Sequence, residues 1–224
     1  MPRIARIVAE GYPHHIIQRG NNRQDIFFDD EDREIYLGLL KKYSVECSCK
    51  IKAYCLMNNH VHILIVPQYQ DSLAKMMQKL SLTFTQHINK KHKRTGRLWE
   101  CRFHSCIVDT DSYLWAVAKY IERNPLRANI CTEPFLYKWS SAKISVSAES
   151  AYTGIEPVWK DYGNRNEYVK FLYEDKETDS EKIRQSIYKG IPFGSKSFVN
   201  DLAEKLNFTL NNKGRGRPKN GMCP

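Results

Sequence analysis

An α+β fold built on an antiparallel sheet is what this sequence predicts, and three observations predict it. β-prone runs and amphipathic helical patterns follow one another in the order β-α-β-β-α-β. The run His60 to Val66 is dense in β-branched and aliphatic residues and is closed by Pro67, as a short buried strand is. A further helical stripe from Asp111 to Asn124, then a change of composition near Ser145, add a helix and an appendage after the sheet.

The elements follow in order. Tyr12 to Gly20 is a β-prone run ended by the turn cluster Gly20-Asn21-Asn22. His14 and His15 point to opposite faces of that strand, so at most one can look toward a site on either face, and a polar strand end is the simpler reading. Arg19, Asn21, Asn22 and Arg23 make a basic turn suited to phosphate or bases, or to solvent. Asp29 to Glu34 opens a helix: the acids complement its N-terminal dipole, one Asp can cap it, and Ile35, Leu39, Leu40 and Tyr43 form the apolar stripe. The acid run is therefore a helix start, not a metal box.

Cys49 to Leu56 is the second strand, joined to the histidine strand by a tight turn at Asn58-Asn59. From Asp71 to about Lys93, Leu73, Met76, Met77, Leu80, Phe84 and Ile88 recur at helical spacing. Phe103 to Val108 is the fourth strand, and Thr110 or Asp111 can cap the helix that follows, whose stripe is Leu114, Val117, Ala118 and Ile121. The pattern is ferredoxin-like, with both connecting helices on one face and the histidine strand central. We divide the chain into a main domain, 1–145, a helical appendage, 146–210, with patterns near Asn166 to Tyr173, Ser180 to Tyr188 and Ser197 to Leu206, and a basic flexible tail, 211–224.

A formal net charge of +10 on 224 residues points to a polyanionic partner, most often nucleic acid. Seven cysteines, an odd number with no C-x-x-C, and no signal-like start indicate a reduced, cytoplasmic protein. The spacing Cys101 to Cys106 matches no usual zinc pattern. No apolar run approaches the ~20 residues that cross a bilayer, so no membrane partner is expected. Lys93, Arg94, Arg97 and Arg102 interleave with Trp99 and Phe103: phosphate contacts beside flat rings suit single-stranded nucleic acid, and a solvated loop with its Trp in the core fits equally. Near the end, Gly214-Arg215-Gly216-Arg217-Pro218-Lys219 resembles an AT-hook, in which Arg215 and Arg217 enter a minor groove, or is a tail that binds phosphate without sequence preference.

Chemistry concentrates in two stretches. On a strand, His60 and His62 share one face and can hold one ion; on a helix they would diverge by about 200°. Tyr120 flanks the stripe of the later helix, where its ring packs and its hydroxyl shows, and Asn124 lies one turn on. Pro125 disfavours helical geometry at Asn124, so the helix ends or kinks there and the amide can turn toward a ligand. A phenol with a pKa near 10 needs an electrophilic target. A divalent ion on His60, His62 and Asn124, Mg²⁺ or Mn²⁺ given the absence of thiolates, would orient a phosphate for in-line attack by Tyr120. Lys119, Arg123 and Arg127 would add positive charge near the backbone.

These residues resemble a known family. His60-Val61-His62 on a strand with Tyr120-x-x-x-Asn124-Pro125-Leu126-Arg127 on a later helix looks like the HUH-type single-tyrosine transposases, and among them the REP-associated tyrosine transposases. The run from Pro13 to Arg23, Met57-Asn58-Asn59-His60, and Gly96-x-Leu98-Trp99-x-x-Arg102-Phe103 add to the resemblance. It implies recognition of single-stranded DNA near a hairpin and cleavage through a 5′-phosphotyrosine link that leaves a 3′-hydroxyl, with rejoining by reversal. It maps Tyr120 to the nucleophile and His60, His62 and Asn124 to the metal ligands, in a monomer or homodimer. The alternative is a hairpin-DNA-binding regulator that keeps the fold and no longer cleaves.

Overall fold

The computed structural model describes residues 6–110, 112–147, 154–161, 163–174 and 179–207. Strands β1 (His14–Arg19), β2 (Cys49–Met57), β3 (His60–Pro67) and β4 (His104–Ile107) form one sheet in the order β2-β3-β1-β4, every neighbouring pair antiparallel. Helix α1 (Asp30–Glu46) links β1 to β2, and α2 (Ser72–Lys91) links β3 to β4. This is the ferredoxin-like arrangement that the sequence predicts, with the histidine strand inside the sheet.

Alternation along β3 divides the core. Val61, Ile63 and Ile65 turn to one face and pack beneath α1 and α2 against Leu40, Met76, Leu80 and Phe84. The two helices meet at their ends through charge. Asp29 caps α1 by accepting the Asp32 N–H at 2.9 Å, and the buried Asp32 carboxylate accepts the Phe28 N–H at 2.9 Å. Lys91, in the last turn of α2, then reaches Asp29, Glu31 and Asp32 at 2.8, 2.8 and 3.0 Å.

The β2–β3 turn is held from outside. Only Asn58 and Asn59 separate the paired Met57 and His60, yet neither has a positive φ, so the primed turns that suit two-residue hairpins are not used. Instead Ile26 and Phe27 donate their N–H groups to the Asn58 carbonyl at 2.9 and 3.2 Å, and Gly20 N–H donates to the Asn59 carbonyl at 2.8 Å. Arg33 donates to Asn58 Oδ1 at 2.6 Å. Gly20 permits this close return of the chain: a Cβ there would collide with the Gln24 carbonyl oxygen.

Helix α3 (Ser112–Glu122) covers the opposite face, packing Leu114, Val117 and Ile121 against Ala53, Cys55 and Leu64. Asp111, the expected cap, lies outside the described residues. The helix gives way before Pro125 to the single turn α4 (Asn124–Arg127). Among the described residues four α-helices follow, α5 (Ala142–Ser147), α6 (Arg165–Tyr173), α7 (Ser180–Lys189) and α8 (Lys196–Lys205). Tyr168, Ile183 and Ile187 of α6 and α7 enter the same apolar cluster as α3.

Lys119 and Arg123, expected at a DNA backbone, are buried in this contact instead. Lys119 Nζ donates to the Glu174 carbonyl at 2.8 Å and lies 4.4 Å from the Phe171 ring centroid, and Arg123 donates to the carbonyls of Leu172 and Glu174 at 3.2 and 2.7 Å. The negative end of α6 draws them, because its last carbonyls have no intrahelical partner. Glu122, between them, is also buried and accepts hydrogen bonds from Ser141 at 2.7 Å, Tyr168 at 2.9 Å and Ser145 at 3.4 Å. Burial pushes its carboxyl up to about 7, against the pull of these hydroxyls. No helix among the described residues is long and apolar enough to cross a membrane.

Candidate active site

His60 and His62 stand on the α3 side of β3 with ring centroids 5.0 Å apart, paired across the sheet with Arg19 and Ile17 of β1. The Tyr120 ring meets His62 edge-on at 5.7 Å. A cavity of ≈ 260 Å³ opens between them, and His60, His62, Tyr120, Asn124 and Arg127 line it. These five residues, which the sequence singled out in two stretches about sixty positions apart along the chain, thus share one cavity.

His15 is the residue that sequence reasoning passed over. It lies on the same face as His62, its Nε2 is 3.1 Å from His62 Nδ1, and its ring meets Tyr120 edge-on at 5.7 Å. His14 turns the other way, where its Nδ1 donates to the Tyr12 carbonyl at 2.8 Å and its Nε2 accepts the Ala9 N–H at 3.2 Å. The parity of β1 separates the two, but only the register Ile17 opposite His62 says which one faces the site. Arg184 and Tyr188 of α7 also line the cavity and were likewise absent from the sequence-derived set.

The imidazoles are held neutral. Burial lowers His60 to about 4, helped by the charge of Arg19, and lowers His15 to about 3, helped by Arg127. Burial lowers His62 well below its ordinary value, with His60 and His15 adding to it. Each ring therefore keeps a lone pair at neutral pH. For His60 its position can be assigned: the Arg23 carbonyl can only accept, so it takes Asn59 Nδ2–H at 3.1 Å and turns Asn59 Oδ1 toward His60 Nδ1, 2.6 Å away. The proton is then on Nδ1 and the lone pair on Nε2.

Asn124 is less free than the sequence reading allowed. Its Nδ2 donates to the carbonyls of Tyr120 at 2.9 Å and Ile121 at 3.3 Å, capping α3, which leaves Oδ1 as its donor atom for a ligand. Two neutral imidazoles and an amide oxygen fit a divalent cation without thiolate preference. A second group of metal-capable atoms, on Asp29, Asp32 and His92, lies within 4.8 Å. Lys91 already neutralises both carboxylates there, in keeping with a helix start.

The basic residues form one surface. Asn21 N–H donates to the Leu98 carbonyl at 2.8 Å, Arg94 donates to Gln24 Oε1 at 2.9 Å, and Arg97 approaches Asn21 Oδ1 at 3.5 Å, so the turn after β1 lies against the loop before β4. Asn22, Arg23, Lys93, Arg97 and Arg102 are exposed on it, while Arg19 is paired with Glu100 at 2.8 Å. Trp99 and Phe103 do not offer stacking faces: both are buried in the α1–α2 core, and Trp99 Nε1 donates to the Ser81 carbonyl at 3.3 Å. Arg215 and Arg217 lie outside the described residues.

A ferredoxin-like sheet carrying a histidine pair, faced by a tyrosine-bearing helix, is the setting in which the comparisons with known proteins fall. Residues 9–124, more than half of the 224, match the family profile described as Transposase IS200 like, and the chain belongs to this transposase family. Among solved structures it is similar in fold to a REP-associated tyrosine transposase bound to a REP hairpin, with a TM-score of 0.57 and 16% identity over 70% of this chain and 90% of that one. A transposase structure from Deinococcus radiodurans aligns at 19% identity over 58% of this chain and 92% of that one, with a TM-score of 0.36. No curated protein matches the chain.

Proposed function

We propose that this transposase-family chain cleaves and rejoins single-stranded DNA at hairpin, REP-like sequences, with Tyr120 as the nucleophile. The Tyr120 oxygen attacks the scissile phosphorus, the bond from phosphorus to the 3′-oxygen breaks, and that oxygen leaves as a 3′-hydroxyl. The 5′ end of the downstream fragment stays on the protein as a phosphotyrosine. Attack by a 3′-hydroxyl on that link reverses the step, so the phosphoryl bond energy is conserved and no ATP is consumed.

The observation that carries this reading is the cavity in which the Tyr120 ring faces His62 at 5.7 Å beside His60 and Asn124. Among the described residues no hydrogen bond occupies the Tyr120 hydroxyl, and Arg127 packs its guanidinium 4.3 Å from the ring centroid, which fixes the ring's orientation. His60, His62 and Asn124 would hold Mg²⁺ or Mn²⁺, which when bound supplies Lewis-acid polarisation of the phosphate. Arg23, Arg97 and Arg102 supply the charge that binds the strand.

The test is a hairpin-bearing single strand labelled at its 3′ end, incubated with the protein and Mn²⁺ and run on a denaturing gel. A protein-linked band with wild type, and none with Tyr120→Phe at comparable DNA binding, is the expected result. An equal band with Tyr120→Phe removes the assignment, and binding without any band in wild type favours the non-cleaving regulator.

A further inference from the structure

The family-matched segment ends at residue 124, yet the cavity does not. Helix α7, some sixty residues later, forms one of its walls with Arg184 and Tyr188. The helix is anchored by its packing. Ile183 and Ile187 are buried in the cluster beneath α3, and Tyr188 sets its ring edge against His104 of β4 at 5.4 Å. Arg184, flanked by these anchors on the helix, is thereby held at the cavity mouth.

The three arginines that line the cavity among the described residues differ in their commitments. Arg19 is paired with Glu100 at 2.8 Å, and Arg127 donates to the Tyr120 carbonyl while stacking on the Tyr120 ring. Among the described residues Arg184 has only a contact of 3.6 Å with Glu181, one turn away on its own helix, between side chains that are both more than half exposed. Such a pair contributes little and is readily exchanged for a better anion. A guanidinium is also the side chain best shaped for two oxygens of one phosphate. Among the described residues no carboxylate lines the cavity to compete.

Resting on the proposed DNA reading, we infer that Arg184 is a phosphate-binding residue of the active-site cavity, so that the appendage and not the family domain alone completes the strand-binding site. The ligand class is a phosphodiester of single-stranded DNA entering between α7 and the histidine strand.

The probe is a fluorescent dT20 single strand, followed by anisotropy across a salt series. Arg184→Ala is expected to weaken binding about tenfold, as for a lost charged hydrogen bond, and to lower the salt slope by roughly 0.7, the share of one phosphate on a single strand. Arg184→Lys restores the slope and part of the affinity. Lys182→Ala, which removes an exposed charge from the same helix, stays within about twofold, as a surface charge does. Unchanged affinity and slope for Arg184→Ala, or an equal loss for Lys182→Ala, overturns the inference while leaving the Tyr120 reading intact. Failure of wild type to bind dT20 also overturns the inference, and the Tyr120 reading then stands or falls on its own hairpin-strand gel. Superimposable circular dichroism melts of the variants and wild type show that a loss is not misfolding.

Discussion

His60 carries its proton on Nδ1 because Asn59 presents an oxygen there, and Asn59 does so because the Arg23 carbonyl takes its amide hydrogens. A residue outside the proposed ligand set thus decides which His60 nitrogen would be open to an ion. Asn59→Ala is expected to lower Mn²⁺ affinity about tenfold or more, the usual cost of losing such a partner, read by paramagnetic resonance of free Mn²⁺ without any DNA present. Unchanged affinity would separate His60 from the ion. At this scale the sequence was legible where one residue type met one spacing, as in His60-x-His62 and Tyr120 with Asn124. It was illegible at His15, since the contact with His62 depends on strand register, and register is set by long-range pairing.

At the scale of elements, α3 is the part whose position matters, and Glu122, Lys119 and Arg123 tie it to α5 and α6. The sequence placed α3, its stripe and its end before Pro125, but it offered Lys119 and Arg123 to DNA. Their true partners, the carbonyls of residues 172 and 174, lie about fifty positions away and are supplied by backbone, which leaves no side-chain signal. Glu122 gives the clearest prediction. Its folded pKa, about 7, lies above the ordinary 4.5, so the stability it lends is full below 4.5 and is lost as pH rises toward 7. Glu122→Gln keeps the shape without the charge, so its urea midpoint relative to wild type should rise between pH 5 and pH 8. A difference that stays constant would mean the carboxyl is not buried as described. Glu122→Ala leaves three hydroxyls without their acceptor and should destabilise by about 2–4 kcal/mol.

Across the whole molecule, the ferredoxin-like order was readable because period-2 and period-3.6 patterns alternate without interruption through residue 124. The two-layer covering of the sheet was less so. Nothing local says that α6 and α7 fold back over the α3 face, because Tyr168, Ile183 and Ile187 look like the stripe of any small helix. The sheet also buries histidines in number, and this sets a pH response for the fold. His14 and His60 are lowered to about 4 and His15 to about 3, while the unfolded chain binds these protons near 6.5. Their contribution is therefore present above about 6.5 and is lost as pH falls toward 4. Glu122 acts in the opposite sense over part of that range, one group against several. With chelator present, the urea midpoint should be lower at pH 5 than at pH 7.5; an equal or higher midpoint at pH 5 would contradict the buried neutral imidazoles.

The central claim is a covalent bond to one side chain, and peptide mapping reads it directly. Trypsin cutting after Lys119 and Arg123 isolates residues 120–123, a fragment with one of the chain's thirteen tyrosines. After reaction with a hairpin strand and nuclease trimming, mass spectrometry should find the nucleotide on that fragment. A nucleotide carried by any other peptide would contradict the account.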